Sequence, residues 1–203
     1  LIYNALDVNL LKITSIEGGN ASFEPKDGET FMTEVLKLEK YSGVVTDNGI
    51  TSFYGQSKLG GNKVKIEDTV FCLTESAGYV RDYIGRHINA YVSTEDDENT
   101  LVYATLSDKD EVFEFSAEDM EKYSENSITY YDGKKDVTKK LSKDACLILN
   151  GIALKSFNED TFKFDSGKVT LISQESSLID LIVIDKDEYM YVKKVDANGE
   201  VIY

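Results

Sequence analysis

The chain has 203 residues, 22 Lys and Arg against 37 Asp and Glu, and a formal net charge of −15; phosphate backbones and anionic membranes both call for clustered cations, so nucleic acid and membrane surfaces are disfavoured as partners. Apolar residues make up 41% and aromatics 11%, led by 13 Tyr with one Pro, which marks a folded, strand-rich chain. One His and two Cys leave no material for a His-rich metal centre, a Cys-ligated zinc or a His-based nucleophilic triad.

Ile2, Leu6 and Leu10 recur at helical spacing and predict a helix over 1–12. A chain that opens inside a helix reads as a piece of a longer protein, whose upstream part can hold an export signal. Glu17–Asn20 predicts a turn between Leu11–Ile16 and Ala21–Phe23, and Pro25–Gly28 a second turn. Thr30 is placed to cap a short helix over 31–37. The period then changes to that of strands: Tyr41–Thr46, Ile50–Tyr54 after the Asp47-Asn48-Gly49 turn, Lys63–Ile66 and Val70–Leu73. A helix over 76–84 follows, closed by Gly85, and then strands Ile88–Val92 and Leu101–Ala104. Four strands, a helix and two strands suit a small barrel plugged at one end by the helix.

Asp108-Lys109-Asp110 reads as a seam. Beyond it Val112–Phe115 predicts a strand, and Ser116-x-x-Asp119 resembles a capping box. Hairpins are expected at Ile128–Tyr131 with Asp136–Lys140 and at Ala145–Leu149 with Ile152–Leu154. Lys168–Ser173, Leu178–Ile184, Tyr189–Val195 and Val201–Tyr203 complete the strands, the last two joined by a turn over 196–199. The longest apolar run, Leu178–Ile184, carries Asp180 and is far short of the ~20 residues that span a bilayer. Cys72 and Cys146 both sit in apolar strand-like runs, which favours buried free thiols over a disulfide between them.

The fold class expected is mainly β, with antiparallel sheets forming one or two small barrel- or sandwich-like units and a few short helices. The segments are 1–40 (helix and hairpin), 41–107 (barrel-like unit) and 108–203 (second antiparallel unit).

Several stretches also resemble, in one order, a β-rich region of surface proteins of low-GC Gram-positive bacteria, found downstream of S-layer homology domains. Gly43–Thr51 is similar to its G-[IV]-V-T-x-N-x-x-T stretch, and Ile84–Tyr91 to L-G-x-x-V-x-A-Y. Thr100–Tyr103 is similar to T-L-L-Y, Ile128–Asp132 to I-T-Y-Y-D, and Lys140–Ala145 with Asn150-Gly151 to K-L-S-x-D-A…N-G. Leu1–Leu11 is similar to the helix that leaves the last surface-layer repeat. The resemblance implies secretion, attachment to the cell wall and a non-enzymatic role, with no catalytic residue. Members of that family often carry a carboxylate-rich stretch, G-S-V-T-L-I-D-N-D-G-D-G-x-x-D, where this chain has Gly167–Asp180 with most oxygen ligands gone, so no calcium is expected there.

The remaining motifs favour structure over chemistry. Glu95–Glu98 reads as a solvated hairpin tip, the lone His87 as structural, and Gly60-Gly61 as a loop with no phosphate-binding Lys-[Ser/Thr] after it. The binding candidates are tyrosines. Tyr91 and Tyr103 fall on strands that pair, and Tyr130 and Tyr131 point to opposite faces of one strand. Exposed, such rings stack on sugars or fill protein contacts; the alternative is a half-buried cross-strand pair. The functional expectation is an extracellular, wall-associated structural or spacer module without cofactor or metal. Its alternative is a binding module for wall polysaccharide or another surface protein. A cleft lined by Tyr and acids would favour the alternative.

Overall fold

The computed structural model describes residues 9–18, 20–53, 55–94, 98–154, 156–174, 177–187, 194–195 and 201–202. The chain is mainly β and divides into two compact units, Leu1–Glu111 and Val112–Tyr203, close to the expected seam. The expected N-terminal segment 1–40 falls inside the first unit.

The first unit opens with an antiparallel hairpin, β1 (Asn9–Glu17) and β2 (Asn20–Thr30). This corrects the helix expected over 1–12: residues 9–12 are strand, and 1–8 lie outside the described residues. Cross-strand pairing outweighs the weak helical spacing of a few leucines. Pro25–Gly28 is no chain reversal either. The register steps from Asn9↔Thr30 to Leu11↔Pro25, so the extra residues bulge within β2. A second irregularity, between Ile13↔Phe23 and Ser15↔Ser22, inserts one residue in β1 and brings Ile16 onto the face of Leu11 and Ile13, all three exposed. Lys12 pairs with Glu24 across the opposite face at 3.6 Å. Helix α1 (Phe31–Glu34) is capped as expected: Thr30 Oγ1 accepts from Thr33 N, and Thr30 N donates to Thr33 Oγ1.

The barrel follows. Strand β3 (Glu39–Asp47) pairs along residues 39–44 with β8 (His87–Ser93), and at Val45 and Asp47 with β6 (Lys63–Ile66). β6 and β7 (Thr69–Leu73) form a hairpin, β7 runs parallel to β9 (Thr100–Leu106), and β9 pairs antiparallel with β8. The ring β3-β6-β7-β9-β8 therefore closes, in the strand order of an OB-type Greek-key barrel. The expected strand over 50–54 is two short pieces, β4 (Thr51–Ser52) and β5 (Gly55–Gln56), in the loop between β3 and β6. Val45, Val64, Ile66, Phe71, Ile88 and Leu101 fill the interior. A 3-10 helix over Glu75–Tyr83 adds Ala77 and Val80, the plug the sequence predicts. Where β7 and β9 part, the Tyr79 hydroxyl donates to Ala104 O at 2.8 Å and accepts from Ala104 N at 3.0 Å, standing in for a missing strand.

The main sheet of the second unit has the order β10 (Asp110–Ser116), β15 (Gly167–Gln174), β16 (Ile179–Lys186), β13 (Asp136–Leu149), β12 (Ser127–Tyr131), β11 (Met120–Ser124). β14 (Ile152–Leu154) pairs with the end of β13. The sheet is mixed: β13 runs parallel to β16 and antiparallel to β12. Among the described residues no pairing joins β10 to β11, so the sheet is a half-barrel with an open side. Leu147, Val169, Leu171, Ile179, Ile182 and Ile184 form its core. Gly167, at φ +134°, lies so close to β16 that a Cβ there would collide with Asp185 O. Asn150 Oδ1 accepts from Lys186 N at 2.7 Å and Nδ2 donates to Lys186 O at 3.2 Å, so a side-chain amide extends the β13–β16 ladder by one rung. The capping box expected at Ser116 is absent. Its hydroxyl donates to the Asp119 carboxylate at 2.6 Å instead of bonding a backbone N–H, because only a short 3-10 turn, Ala117–Asp119, follows. Of the last expected strands, 194–195 pair with 201–202 as β17 (Lys194–Val195) and β18 (Val201–Ile202). Residues 188–193 and the turn over 196–199 lie outside the described residues.

Candidate functional site

The four candidate tyrosines separate into two places. Tyr91 and Tyr103 stand opposite one another on β8 and β9, rings stacked at 6.4 Å, on the outer face of the barrel. Met32 and Leu38, at α1 and just after it, cover them as a small outer core. Tyr91 and Tyr103 are 5% and 9% exposed and Tyr130 5%, whereas Tyr131 is 40% exposed. Only Tyr131 of the four thus offers much of its side chain to solvent. A shallow groove of about 390 Å³ lies beside Tyr91, lined by Lys40, Ser42, Asn89 and Thr105, with Lys40 Nζ 5.8 Å from the Tyr91 ring.

The second place is the stronger candidate. At the open side of the second unit a cleft of about 410 Å³ brings Phe113, Phe115, Tyr130 and Tyr131 together with Glu114, Asp119 and Asp132. Phe115 and Tyr130 lie face to face, 4.2 Å apart and 3° from parallel. Lys139 Nζ sits 3.5 Å over the Phe113 ring, a cation–π contact that already occupies that face. Asp132 closes the β12–β13 turn: its Oδ1 accepts from Lys134 N and Lys135 N, both at 2.9 Å. These two N–H bonds hold its carboxyl below the usual carboxylate range, so it is charged at neutral pH. Burial first, and then the Asp132 charge, push the Tyr130 phenol above its ordinary value. Glu114 is engaged by Lys168 at 2.7 Å. The sequence reading singled out Tyr130 and Tyr131 but not Phe113 and Phe115. The signal was present in the alternation Val112-Phe113-Glu114-Phe115, which puts both rings on one strand face.

The polar residues of most chemical promise are spent on structure. Asp110 has a fully buried side chain whose Oδ2 accepts from His87 N at 2.7 Å and from Arg86 Nε at 3.1 Å. Its Oδ1 lies 2.7 Å from His87 Nδ1. The chain's one histidine and one of its two arginines therefore tie the start of β8 to Asp110, within the first unit. Sequence reasoning placed Asp110 in a seam and did not foresee this role. The Asp47-Asn48-Gly49 stretch likewise builds a turn. Asp47 Oδ1 accepts from Gly49 N and Ser57 Oγ, and Asn48 Oδ1 from Ile50 N and Thr51 N. Asn48 Nδ2 donates to Arg81 O, and Gly49, at φ +85°, leaves space for the Arg81 guanidinium.

Within 167–180, Asp180 accepts from Gln174 N at 2.9 Å; residues 175–176 lie outside the described residues. Of the acidic tip, 95–97 lie outside them too, and Glu98 accepts from Cys72 Sγ at 3.3 Å. Cys72 and Cys146 are free thiols, half-buried rather than buried, and desolvation raises both above the usual thiol value. Among the described residues no helix is long and apolar enough to cross a membrane. Comparison of the chain with protein-family models, curated proteins and solved structures finds no match.

Proposed function

We propose that the chain is a non-enzymatic module of a wall-attached cell-surface protein, a β-rich spacer that acts by shape, charge and solubility. The observation that carries the non-enzymatic part is the Arg86–His87–Asp110 cluster: the lone histidine and a buried carboxylate serve as strand anchors. The surface location rests on the ordered motifs shared with wall-attached proteins. A charge of −15 suits a solvated, self-repelling spacer. The test is protease shaving of intact source cells, followed by detection with an antibody raised against this chain. Release of the epitope without lysis supports the reading, and an epitope reached only after lysis overturns it.

A second reading, a binding module built on Tyr-bearing strands, is favoured by the cleft at the open side of the second unit. In this reading Tyr131 is the exposed ring of the site, Tyr130 lies buried behind it, and Tyr91 and Tyr103 belong to the outer core that holds α1 on the barrel.

A further inference from the structure

We infer that the cleft between β10, β12 and the β12–β13 turn binds a pyranose ring of a non-acidic polysaccharide; the inference rests on the binding-module reading and adds a site and a ligand class to it. Three features of the cleft select that ligand. Its wall presents the exposed ring of Tyr131, backed by the buried Phe115–Tyr130 pair, and an exposed aromatic face takes up the C–H face of a sugar. Its rim supplies acceptors. Asp119 takes one bond from Ser116 and Asp132 takes two from the turn, all through a single oxygen of each carboxylate, and a sugar's hydroxyls are donors. Its charge repels anions: Glu114, Asp119 and Asp132 line it in a chain of net charge −15. A purely cationic ligand fits less well, because Lys139 already covers the Phe113 face. The space, about 410 Å³, suits one or two sugar rings rather than a folded partner.

The test is titration of the whole chain with cellotetraose, with tetra-N-acetylchitotetraose and with oligogalacturonate of equal length, followed by two-dimensional NMR. Binding of one or both non-acidic oligomers, with shifts centred on β12 and its turn and none from the galacturonate, supports the inference. Tyr131→Ala is expected to weaken that binding about tenfold or more, while Tyr131→Phe retains it. Asp132→Asn, which keeps the acceptor for the turn, separates the charge from the fold. Asn89→Ala, in the groove beside Tyr91, should change nothing. Binding lost with Asn89→Ala but kept with Tyr131→Ala overturns the site and leaves the binding-module reading standing. No binding of any oligomer, or binding of the galacturonate alone, overturns the ligand class and leaves the spacer reading untouched. Release of reducing ends from either oligomer would replace binding with hydrolysis and overturn both.

Discussion

The two units use one device with opposite outcomes. In each, a long strand changes partner midway: β3 passes from β8 to β6, and β13 passes from β12 to β16. In the first unit both partners belong to one ring, and the barrel closes around Val45, Ile66, Ile88 and Leu101. In the second, β10 and β11 remain edges among the described residues, and beside the opening Tyr131 stays exposed while Phe115 and Tyr130 are buried. Closure consumes surface: the barrel's stacked Tyr91 and Tyr103 lie under Met32 and Leu38. The closed barrel keeps both of its stacked tyrosines covered, whereas the open side of the half-barrel leaves Tyr131 exposed.

The largest expected effect tests whether the two cores are separate. Leu101→Ala in the barrel and Ile182→Ala in the half-barrel should each cost about 2–5 kcal/mol, since both side chains are fully buried. In urea, each is expected to shift the transition of its own unit and leave the other in place. A single transition moved equally by both would join the two units into one cooperative body.

Next comes the anchor. Asp110→Ala removes the buried carboxylate shared by Arg86 and His87, and is expected to cost about 3 kcal/mol, confined to the first unit's transition. A loss below about 0.5 kcal/mol would make the cluster incidental.

Alkaline pH gives a smaller, graded effect in both units. Burial raises the Tyr79, Tyr123 and Tyr130 phenols above the ordinary value of 10.0. A folded-state value above the unfolded one means that the unfolded chain releases its proton first. The stability these groups contribute is therefore complete below pH 10 and declines as the pH rises through their folded-state values. Urea midpoints at pH 9 and pH 11 should fall accordingly, and Tyr130→Phe should blunt the fall in the second unit alone. The smallest effect concerns metal. Adding calcium is expected to leave both transitions unchanged, whereas a site held at a hundredfold excess over its dissociation constant would add about 2.7 kcal/mol.

Much of this fold is legible from local pattern. The alternation in Lys63–Ile66, the Asp132-Gly133 turn, the Thr30 cap and the helix ahead of Gly85 each declare themselves within a few residues. What local pattern does not carry is long-range pairing. Whether β3 meets β8, or β10 meets β11, depends on residues some 45 and 10 positions apart, and no dipeptide encodes it. The same limit hid the site. Tyr130 and Tyr131 stand out as a pair, but Phe113 and Phe115 join them only because β10 is brought to the same opening. Tyr91 and Tyr103 read alike in sequence, yet Met32, some 60 residues earlier, buries them.

Amide hydrogen exchange on the intact chain tests the contrast between closed and open sheets most directly. In β3 and β8, whose paired residues run from Glu39↔Val92 to Val44↔His87 across the seam that closes the barrel, slow exchange is expected at the amides that bridge it. In β11, paired on one side only, alternate amides from Met120 to Ser124 should exchange at the rate of an exposed edge. Unbroken protection along β11, or fast exchange across the β3–β8 seam, would contradict the account of a closed barrel in the first unit and an open-sided sheet in the second.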